Sequence, residues 1–182
     1  MASVTGILLV GGASSRFGSP KALARLGGET LAERAWRILG EACDERIAVG
    51  KRADRLPLPF PVLDDGSPVR APIAGVVAGL RTSRHEISVV LPVDCPLITP
   101  AVLRRLGEAC ADADAAVPDA GPLPGAYGRV ALPVLERSLA GGRLSLRESL
   151  AELDVRRVEV DPALLVNVNT QDELRVLEPV AT

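Results

Sequence analysis

The chain has 182 residues, of which 47% are hydrophobic and only 2% aromatic, and its formal net charge at pH 7 is -2. This length suits one domain with a sizeable core, and the aliphatic composition excludes a disordered chain. The near-neutral charge gives no electrostatic reason to expect nucleic acid as a partner, and no segment has the apolar length of a membrane span or the pattern of a secretion signal. We therefore expect a cytoplasmic protein with one domain over residues 1–182 and without nucleic-acid or membrane partners.

Strands and helices are predicted to alternate along the whole chain. The strands are expected at residues 4–10, 46–49, 61–63, 87–93, 115–117, 123–127, 155–160 and 165–168. The helices are expected at residues 31–42, 73–80, 100–110, 130–139, 145–153 and 171–177, with Thr99 and Thr170 as N-caps. This alternation predicts an α/β fold of three αβα layers, in which a Rossmann-like, mostly parallel sheet has helices on both faces. The ligand crevice of such a sheet lies beyond the carboxyl ends of its strands.

A glycine-rich loop with two cations follows the first strand. Gly11 and Gly12 end that strand with backbone that has no Cβ, and Arg16 and Lys21 fall in the turn that follows. Exposed backbone N–H groups together with two cations make a cradle for phosphate oxygens. Neither common phosphate fingerprint is present, since no glycine precedes Lys21 and no G-x-G-x-x-G follows Val10. The segment alone also fits an ordinary strand-to-helix turn with solvated cations.

Polar side chains follow other strands at the same expected edge of the sheet. Asp94 comes directly after the central strand, where a carboxylate can bind a Mg²⁺ that bridges to phosphates, although a loop-capping role fits its position equally well. Asp64 and Asp65 are more typical of a turn than of a metal site. Asn167 and Asn169 lie on one face of the extended chain that ends the last predicted strand, and they also fit an ordered entry into the last helix.

Neither the cysteines nor the single histidine indicates a metal site or covalent catalysis. Cys43, Cys95 and Cys110 lack metal-ligand spacing and predict buried free thiols. His85 is flanked by charged residues, which predicts a solvated loop. No histidine accompanies a candidate serine or cysteine nucleophile.

The motifs of the chain, taken in order, resemble those of the molybdenum cofactor guanylyltransferases, within the MobA-like NTP transferases. The family's opening pattern LAGGxSxRMGxDKALL corresponds here to LLVGGASSRFGSPKAL. The resemblance continues through LGGETLAERAW, APIAGVVAGL, LPVDCPLITP, PLPGAYGRVALPVLERSLAGGRLSLRESL and the closing LLVNVNTQDEL. It covers nearly the whole chain in the family's order.

This resemblance implies that the chain transfers GMP from GTP to molybdopterin and releases pyrophosphate, with Mg²⁺ as cofactor. The implied nucleotide-binding residues are Leu9, Val10, Gly11, Gly12, Lys21, Asp65 and Asp94. The implied catalytic residues are Arg16, Lys21 and Asp94, of which Asp94 binds the metal. Asn167 and Asn169 are implied to face the pterin acceptor. GTP and molybdopterin are then the small-molecule partners, and molybdoenzymes or other cofactor-biosynthesis proteins are candidate protein partners.

The chain departs from the family's pattern at four places. Pro20 stands where the family has an aspartate, and Ala71 replaces a glycine. The second strand ends in Val49, Gly50 and Lys51 where the family commonly has an asparagine near the nucleotide, which puts the contact with the nucleobase in question. The stretch between Val117 and Leu123 is short, which suggests a trimmed substrate-contacting loop.

Two alternative functions follow from these departures. One is cytidylyl transfer to the same acceptor, or nucleotidyl transfer to another phosphorylated small molecule. Gly11 and Gly12 favour guanylyl transfer, because cytidylyltransferase relatives usually have AAG there and D-I-D-T in place of the closing N-V-N-T. The other is a weakly active domain that binds nucleotide and passes the cofactor to partner enzymes. The presence of Lys21 and Asp94 argues against it.

Overall fold

The computed structural model describes residues 3–11 and 17–177, and every structural statement below concerns these residues. The strands are β1 (Val4–Leu9), β2 (Arg25–Leu26), β3 (Glu29–Thr30), β4 (Glu45–Gly50), β5 (Val62–Asp64), β6 (Ile87–Pro92), β7 (Ala115–Pro118), β8 (Gly125–Gly128) and β9 (Val155–Val158). The α-helices are α1 (Leu31–Ala42), α2 (Pro72–Thr82), α3 (Pro100–Ala109), α4 (Leu132–Ala140), α5 (Leu146–Ser149) and α6 (Gln171–Leu177). Most predicted elements are confirmed to within a few residues.

The described strands form a seven-stranded sheet in the order β5-β4-β1-β6-β8-β7-β9, and β2 and β3 form a separate hairpin. The first four strands of that order are mutually parallel, and β9 is parallel to β7. β8 is antiparallel to both of its neighbours, because a short connection after β7 allows only a hairpin return. The predicted mostly parallel sheet is confirmed. Its strand order reverses at β1, which places the ligand crevice at the carboxyl ends of β4, β1 and β6.

Alternate residues of each strand serve the two helical layers. In β1, Leu8 packs on the face covered by α1 and α3, whereas Ile7 and Leu9 pack on the face covered by α2, α4 and α5. A period of two along strands buried on both faces produces this division. The predicted three-layer αβα arrangement is therefore confirmed.

Helix α2 lies unusually close to β1. A Cβ on Gly75 would lie 2.8 Å from Cδ2 of Leu9, and one on Gly79 would lie 2.7 Å from two carbon atoms of Ile7. The small residues predicted on one face of this helix thus allow it to approach the strand whose end forms the site.

The predicted N-caps are present. Thr99 accepts a hydrogen bond from Val102 N at the start of α3, with Pro100 in the first turn. Thr170 accepts one from Glu173 N, and the Glu173 carboxylate accepts from the N–H groups of Asn169 and Thr170. The entry into α6 is therefore a reciprocal capping arrangement.

The predicted strand at residues 165–168 is wrong. Residues Pro162–Leu165 form a 3₁₀ turn, so Asn167 and Asn169 follow a turn rather than ending a strand. Pro162 begins this turn, since its fixed φ suits the first position of a helix, and Val168 N donates to Asp94 O at 2.9 Å. Val168 is fully buried against residues of the β2–β3 hairpin, α1 and α6. The apolar run that suggested a strand reflects this buried anchor.

His85 lies in a loop, as predicted, but the prediction that it is solvated is wrong. His85 is half-buried, and its Nδ1 lies 3.0 Å from Oγ1 of the buried Thr5, which donates to Glu45 Oε2 at 2.7 Å. This network lies at the amino ends of the parallel strands, away from the crevice. The charged neighbours of His85 in the sequence therefore led to a wrong prediction for its ring, which forms a hydrogen bond with a buried hydroxyl group.

The cysteines are free, as predicted. Cys95 and Cys110 are buried and Cys43 is half-buried. Burial raises the pKa of Cys43 to about 12 and that of Cys110 to about 11, so these thiols stay protonated at neutral pH. In the part of the chain that the structure describes, no helix is long and apolar enough to cross a bilayer.

Candidate active site

A cleft of about 300 Å³ opens at the carboxyl ends of β1, β4 and β6. Six of the residues implied by the sequence line it: Leu9, Val10, Gly11, Lys21, Asp65 and Asp94. Asn167 and Asn169 contact residues at its rim. Gly12 and Arg16 lie outside the described residues. The structure thus brings together, on one edge of the sheet, side chains from widely separated parts of the chain.

Lys21 and Asp94 form the charged centre of this cleft. Lys21 Nζ lies 3.3 Å from Asp94 Oδ2 and donates to Asn169 Oδ1 at 2.9 Å. The Lys21 side chain is 16% exposed and that of Asp94 is 26% exposed, so both remain accessible to a ligand. Lys21 carries a positive charge and contacts both the negative carboxylate of Asp94 and the neutral amide of Asn169. This group offers a cation to phosphate oxygens and a carboxylate to a metal ion.

Pro20 orients Lys21. It has φ −58° and precedes a 3₁₀ turn over Lys21–Leu23, which Leu23 N closes by donating to Pro20 O at 3.0 Å. Because a proline ring fixes φ near this value, Pro20 pre-sets the turn that carries Lys21 toward Asp94. The proline that replaces the family's aspartate at position 20 therefore fits the local backbone of this turn.

Asn167 and Asn169 are held in place by the residue between them. Val168 fixes the segment by its burial and by its bond to Asp94 O, so its two neighbours reach the same corner of the site. Asn169 reaches Lys21, and Asn167 Oδ1 accepts from the Cys95 thiol. The two asparagines are therefore positioned by a buried residue and not by a strand, and their predicted role toward the acceptor stays a prediction.

The loop after β5 builds the other end of the cleft. Asp64 Oδ1 accepts from Gly66 N at 2.7 Å and Asp64 Oδ2 from Arg52 N at 2.8 Å, and these two bonds hold the pKa of Asp64 below its usual value. Asp65 Oδ1 accepts from Ser67 N at 2.9 Å. The predicted turn is confirmed for both aspartates, but only Asp65 lines the cleft.

Lys51 is the site residue that sequence reasoning missed. Its Nζ donates to Asp65 Oδ1 at 2.6 Å, to Val69 O at 2.7 Å and to Ser67 O. The 21 lysines and arginines of the chain include two lysines, Lys21 and Lys51. Both line the cleft.

The ends of the parallel strands form the floor. Val10 N donates to Val49 O at 3.0 Å, and Leu9 O accepts from Val93 N at 3.2 Å, so these groups belong to the sheet. A Cβ on Gly50 would lie 2.8 Å from Val10 Cγ2, so glycine is required for the two strand ends to approach. The main chain leaves the sheet at Gly11.

Helix α2 begins at the wall of the cleft. Ala71, its N-cap, has φ −139°, which is ordinary extended backbone. Any residue adopts this conformation, so alanine replaces the family's glycine without strain.

The oxygen donors of the site fit a hard divalent cation. Among residues 3–11 and 17–177, no group of three or more histidine, cysteine or acidic side chains forms a metal cage. Asp94 supplies a carboxylate, and amide oxygens of Asn167 and Asn169 lie beside its neighbours. A single carboxylate with amide oxygens suits a Mg²⁺ that keeps several waters and shares ligands with substrate phosphates.

Comparisons with known proteins agree with this geometry. A family model, the MobA-like NTP transferase domain, matches residues 6–158. The molybdenum cofactor guanylyltransferase of Desulfosudis oleivorans is 33% identical over an alignment of 193 positions that covers 98% of this chain and 96% of that protein. The probable molybdenum cofactor guanylyltransferase of Chloroflexus aggregans is 32% identical over an alignment of 196 positions that covers 96% of this chain and 93% of that protein.

A solved structure shows the same architecture. Molybdopterin-guanine dinucleotide biosynthesis protein A from Archaeoglobus fulgidus superposes with a TM-score of 0.83 at 28% identity, and the match covers 97% of each chain. The family model extends from within β1 to the end of β9, and the curated relatives extend through the segment that carries Asn167 and Asn169. The chain therefore belongs to the MobA-like NTP transferase family and is a nucleotidyltransferase.

Proposed function

We infer that the chain transfers GMP from GTP to molybdopterin, forming molybdopterin guanine dinucleotide and releasing pyrophosphate. The observation that carries this inference is the meeting of Lys21, Asp94 and Asn169 in one cleft of a nucleotidyltransferase fold. Curated relatives aligned along almost the whole chain are named for guanylyl transfer to the molybdenum cofactor, which favours GTP over the cytidylyl alternative.

The cleft divides into a nucleotide end and an acceptor end. Asp65 and the floor residues Leu9, Val10 and Gly11 bind the nucleoside and its first phosphate. Gly12, which lies outside the described residues, is proposed to bind the nucleotide with them. Asn167 and Asn169 bind the acceptor at the opposite rim, where their amides can both donate to and accept from a pterin edge or its phosphate. Lys21 and Asp94 lie between these ends, where the reacting phosphates meet.

The transfer needs no protein nucleophile. A terminal phosphate oxygen of molybdopterin, already anionic at neutral pH, attacks the α-phosphorus of GTP in line, and pyrophosphate leaves. Burial and the neighbouring Asp94 carboxylate raise the pKa of Cys95, the thiol nearest this centre, so it stays protonated and takes no covalent part.

The chain's contribution is to neutralise and align two polyanionic groups. Lys21 donates to the α-phosphate, and Arg16 binds the leaving pyrophosphate. Asp94 would hold Mg²⁺ through its carboxylate. When bound, this cation would supply positive charge to the α-phosphate and the leaving group. The product is then available to molybdoenzymes or other cofactor-biosynthesis proteins as partners.

Turnover with purified molybdopterin tests the function directly. The chain is incubated with molybdopterin, MgCl₂ and either GTP or CTP, and pyrophosphate release and the dinucleotide product are measured. We expect product with GTP and at least about 100-fold lower kcat/KM with CTP, the selectivity of a site that hydrogen-bonds one base. Preference for CTP would favour the cytidylyl alternative, and nucleotide binding without turnover would favour the cofactor-handover domain.

A further inference from the structure

Lys51 has no donor left for a ligand. An ammonium group carries three N–H donors, and those of Lys51 are taken by Asp65 Oδ1, Ser67 O and Val69 O. Its side chain is 13% exposed and that of Asp65 is 7% exposed, so the ion pair is largely withdrawn from water. A lysine at a strand end in a phosphate-handling cleft would ordinarily be taken as a phosphate ligand, but this geometry assigns Lys51 to the loop.

The same contacts decide which part of Asp65 meets the cleft. Asp65 Oδ1 accepts from both Lys51 Nζ and Ser67 N, and Asp65 N donates to Gly50 O at 3.0 Å. The carboxylate is therefore fixed at its backbone and at one oxygen. Its other oxygen, Oδ2, takes neither of these hydrogen bonds, and the residue lines the cavity. A carboxylate held in this way presents one oxygen in a constant direction.

The three hydrogen bonds of the Lys51 ammonium also fix the loop after β5 as a whole. Lys51 ties the carbonyl groups of Ser67 and Val69 to the end of β4, and Ser67 Oγ accepts from Val69 N at 3.2 Å. Gly66, at φ +66°, makes the turn that lets these carbonyls converge on one atom. Three acceptors around a single nitrogen suit a compact ammonium and not a planar guanidinium, whose donors diverge.

We propose that Lys51 is a specificity-positioning residue: by saturating its ammonium on the loop after β5, it holds Asp65 so that Asp65 Oδ2 faces the nucleobase and selects GTP. This proposal rests on the proposed function for the identity of the base.

Nucleotide binding separates this role from a direct ligand contact. Calorimetric titrations with GTP and ATP, without acceptor, are made on the wild type and on Lys51→Met, Lys51→Arg and Asp65→Asn. We expect Lys51→Met to lower GTP affinity at least about tenfold while ATP affinity changes little, because a misdirected carboxylate loses a base contact only. Lys51→Arg is expected to restore little, for the geometric reason given above. Arg52→Met, which removes an adjacent exposed cation, is the matched control and should bind like the wild type.

A double variant shows whether Lys51 acts through Asp65. In the Asp65→Asn background, Lys51→Met is expected to cause almost no further loss of GTP affinity. Lys51→Met alone leaves the Asp65 carboxylate without its partner, which can unfold the loop. The double variant removes both charges of this ion pair, so we expect it to stay folded even in that case. Circular dichroism and melting temperatures confirm folding before each titration.

Three results would overturn the proposal. The first is an unchanged GTP-to-ATP affinity ratio in folded Lys51→Met, and the second is an equal loss for both nucleotides. The third is a full additional loss in the Asp65→Asn background, which would make Lys51 a direct ligand contact. These titrations measure binding and need no GMP transfer. If the wild type prefers GTP through Lys51 but transfers no GMP, the proposed function is rejected and the role of Lys51 stands.

Discussion

Asp94 joins two parts of the site through different atoms. Its carboxylate contacts Lys21, and its backbone oxygen accepts the N–H of Val168. Asp94→Asn keeps the backbone bond and the side-chain shape but loses the charge that holds a hard cation. We expect turnover to fall by about 10²–10³-fold, the usual cost of one preorganised contact to transferring phosphates. The melting temperature should stay close to that of the wild type.

The Asp94 experiment measures GMP transfer at limiting and saturating Mg²⁺, alongside thermal melts. Asp112→Asn, which removes an exposed carboxylate from the turn after α3, serves as the control and should leave both unchanged. Full activity of folded Asp94→Asn at limiting Mg²⁺ would show that another group holds the metal.

Individual site residues differ in how far their roles can be predicted. Asp94 was predictable because it directly follows a strand whose apolar run is unmistakable, and Lys21 because it closes a glycine-rich loop. Lys51 was not, since two of its three partners are backbone carbonyls of Ser67 and Val69. Backbone acceptors leave no mark in the sequence, so only the folded loop reveals that this ammonium is already satisfied.

At the scale of the elements, the distance between α2 and β1 decides how precisely the cleft floor is held. A Cβ on Gly79 would lie 2.7 Å from Ile7, whereas one on Gly107 of α3 would lie 3.5 Å from Val89, an ordinary contact. We expect Gly79→Ala to lower the free energy of unfolding by about 1–3 kcal/mol through overpacking. Gly107→Ala should be neutral or stabilising, by up to about 1 kcal/mol, because alanine favours the helix.

Urea denaturation of the two glycine variants checks this contrast. Each substitution adds one methyl group to a helix that packs on the sheet, α2 on one face and α3 on the other. The difference between their free energies of unfolding therefore measures the effect of the close approach of α2. Equal effects of the two substitutions would show that the α2–β1 packing relaxes without cost.

Elements with regular periodicity were predicted well, and the segment that closes the site was not. Residues 165–168 contain an apolar run of strand length, but Val168 uses its burial to anchor a turn to the loop of Asp94. Short apolar runs cannot distinguish a strand from a buried loop, because both remove the same surface from water. Pro162 was the local sign of the 3₁₀ turn that extends to Leu165.

For the whole molecule, the alternating pattern and the aliphatic composition were enough to predict a three-layer fold and the edge that carries the site. A parallel sheet brings the carboxyl ends of its strands together whatever the loop lengths, so the grouping of Asp65 with Asp94 follows from topology. The antiparallel orientation of β8 depends on the short connection before it, and the arrival of the closing segment depends on one buried valine. These are tertiary effects that periodicity does not encode.

The contact between Lys21 and Asn169 links the two ends of the cleft across 148 residues of chain. Because Asn169 Oδ1 accepts from Lys21 Nζ, we expect a change at Asn169 to reach the lysine that is proposed to contact the nucleotide phosphates. Asn167 Oδ1 instead accepts from the Cys95 thiol. We therefore expect Asn169→Ala to weaken both ligands, GTP by about tenfold, and Asn167→Ala to weaken molybdopterin alone.

Separate titrations of GTP and molybdopterin on the two asparagine variants, with parallel melting curves, measure this difference. Neither variant should melt appreciably earlier, since the α6 cap uses the N–H of Asn169 and the side chains of Thr170 and Glu173, which alanine at 167 or 169 retains. Binding linkage is reciprocal, so bound GTP should also change molybdopterin affinity in the wild type and less so in Asn169→Ala. Unchanged GTP affinity in Asn169→Ala would contradict the link. Equal losses of both ligands with lowered melting temperatures in both variants would instead make the asparagines part of the scaffold, and the acceptor would then be sought along residues 122–129.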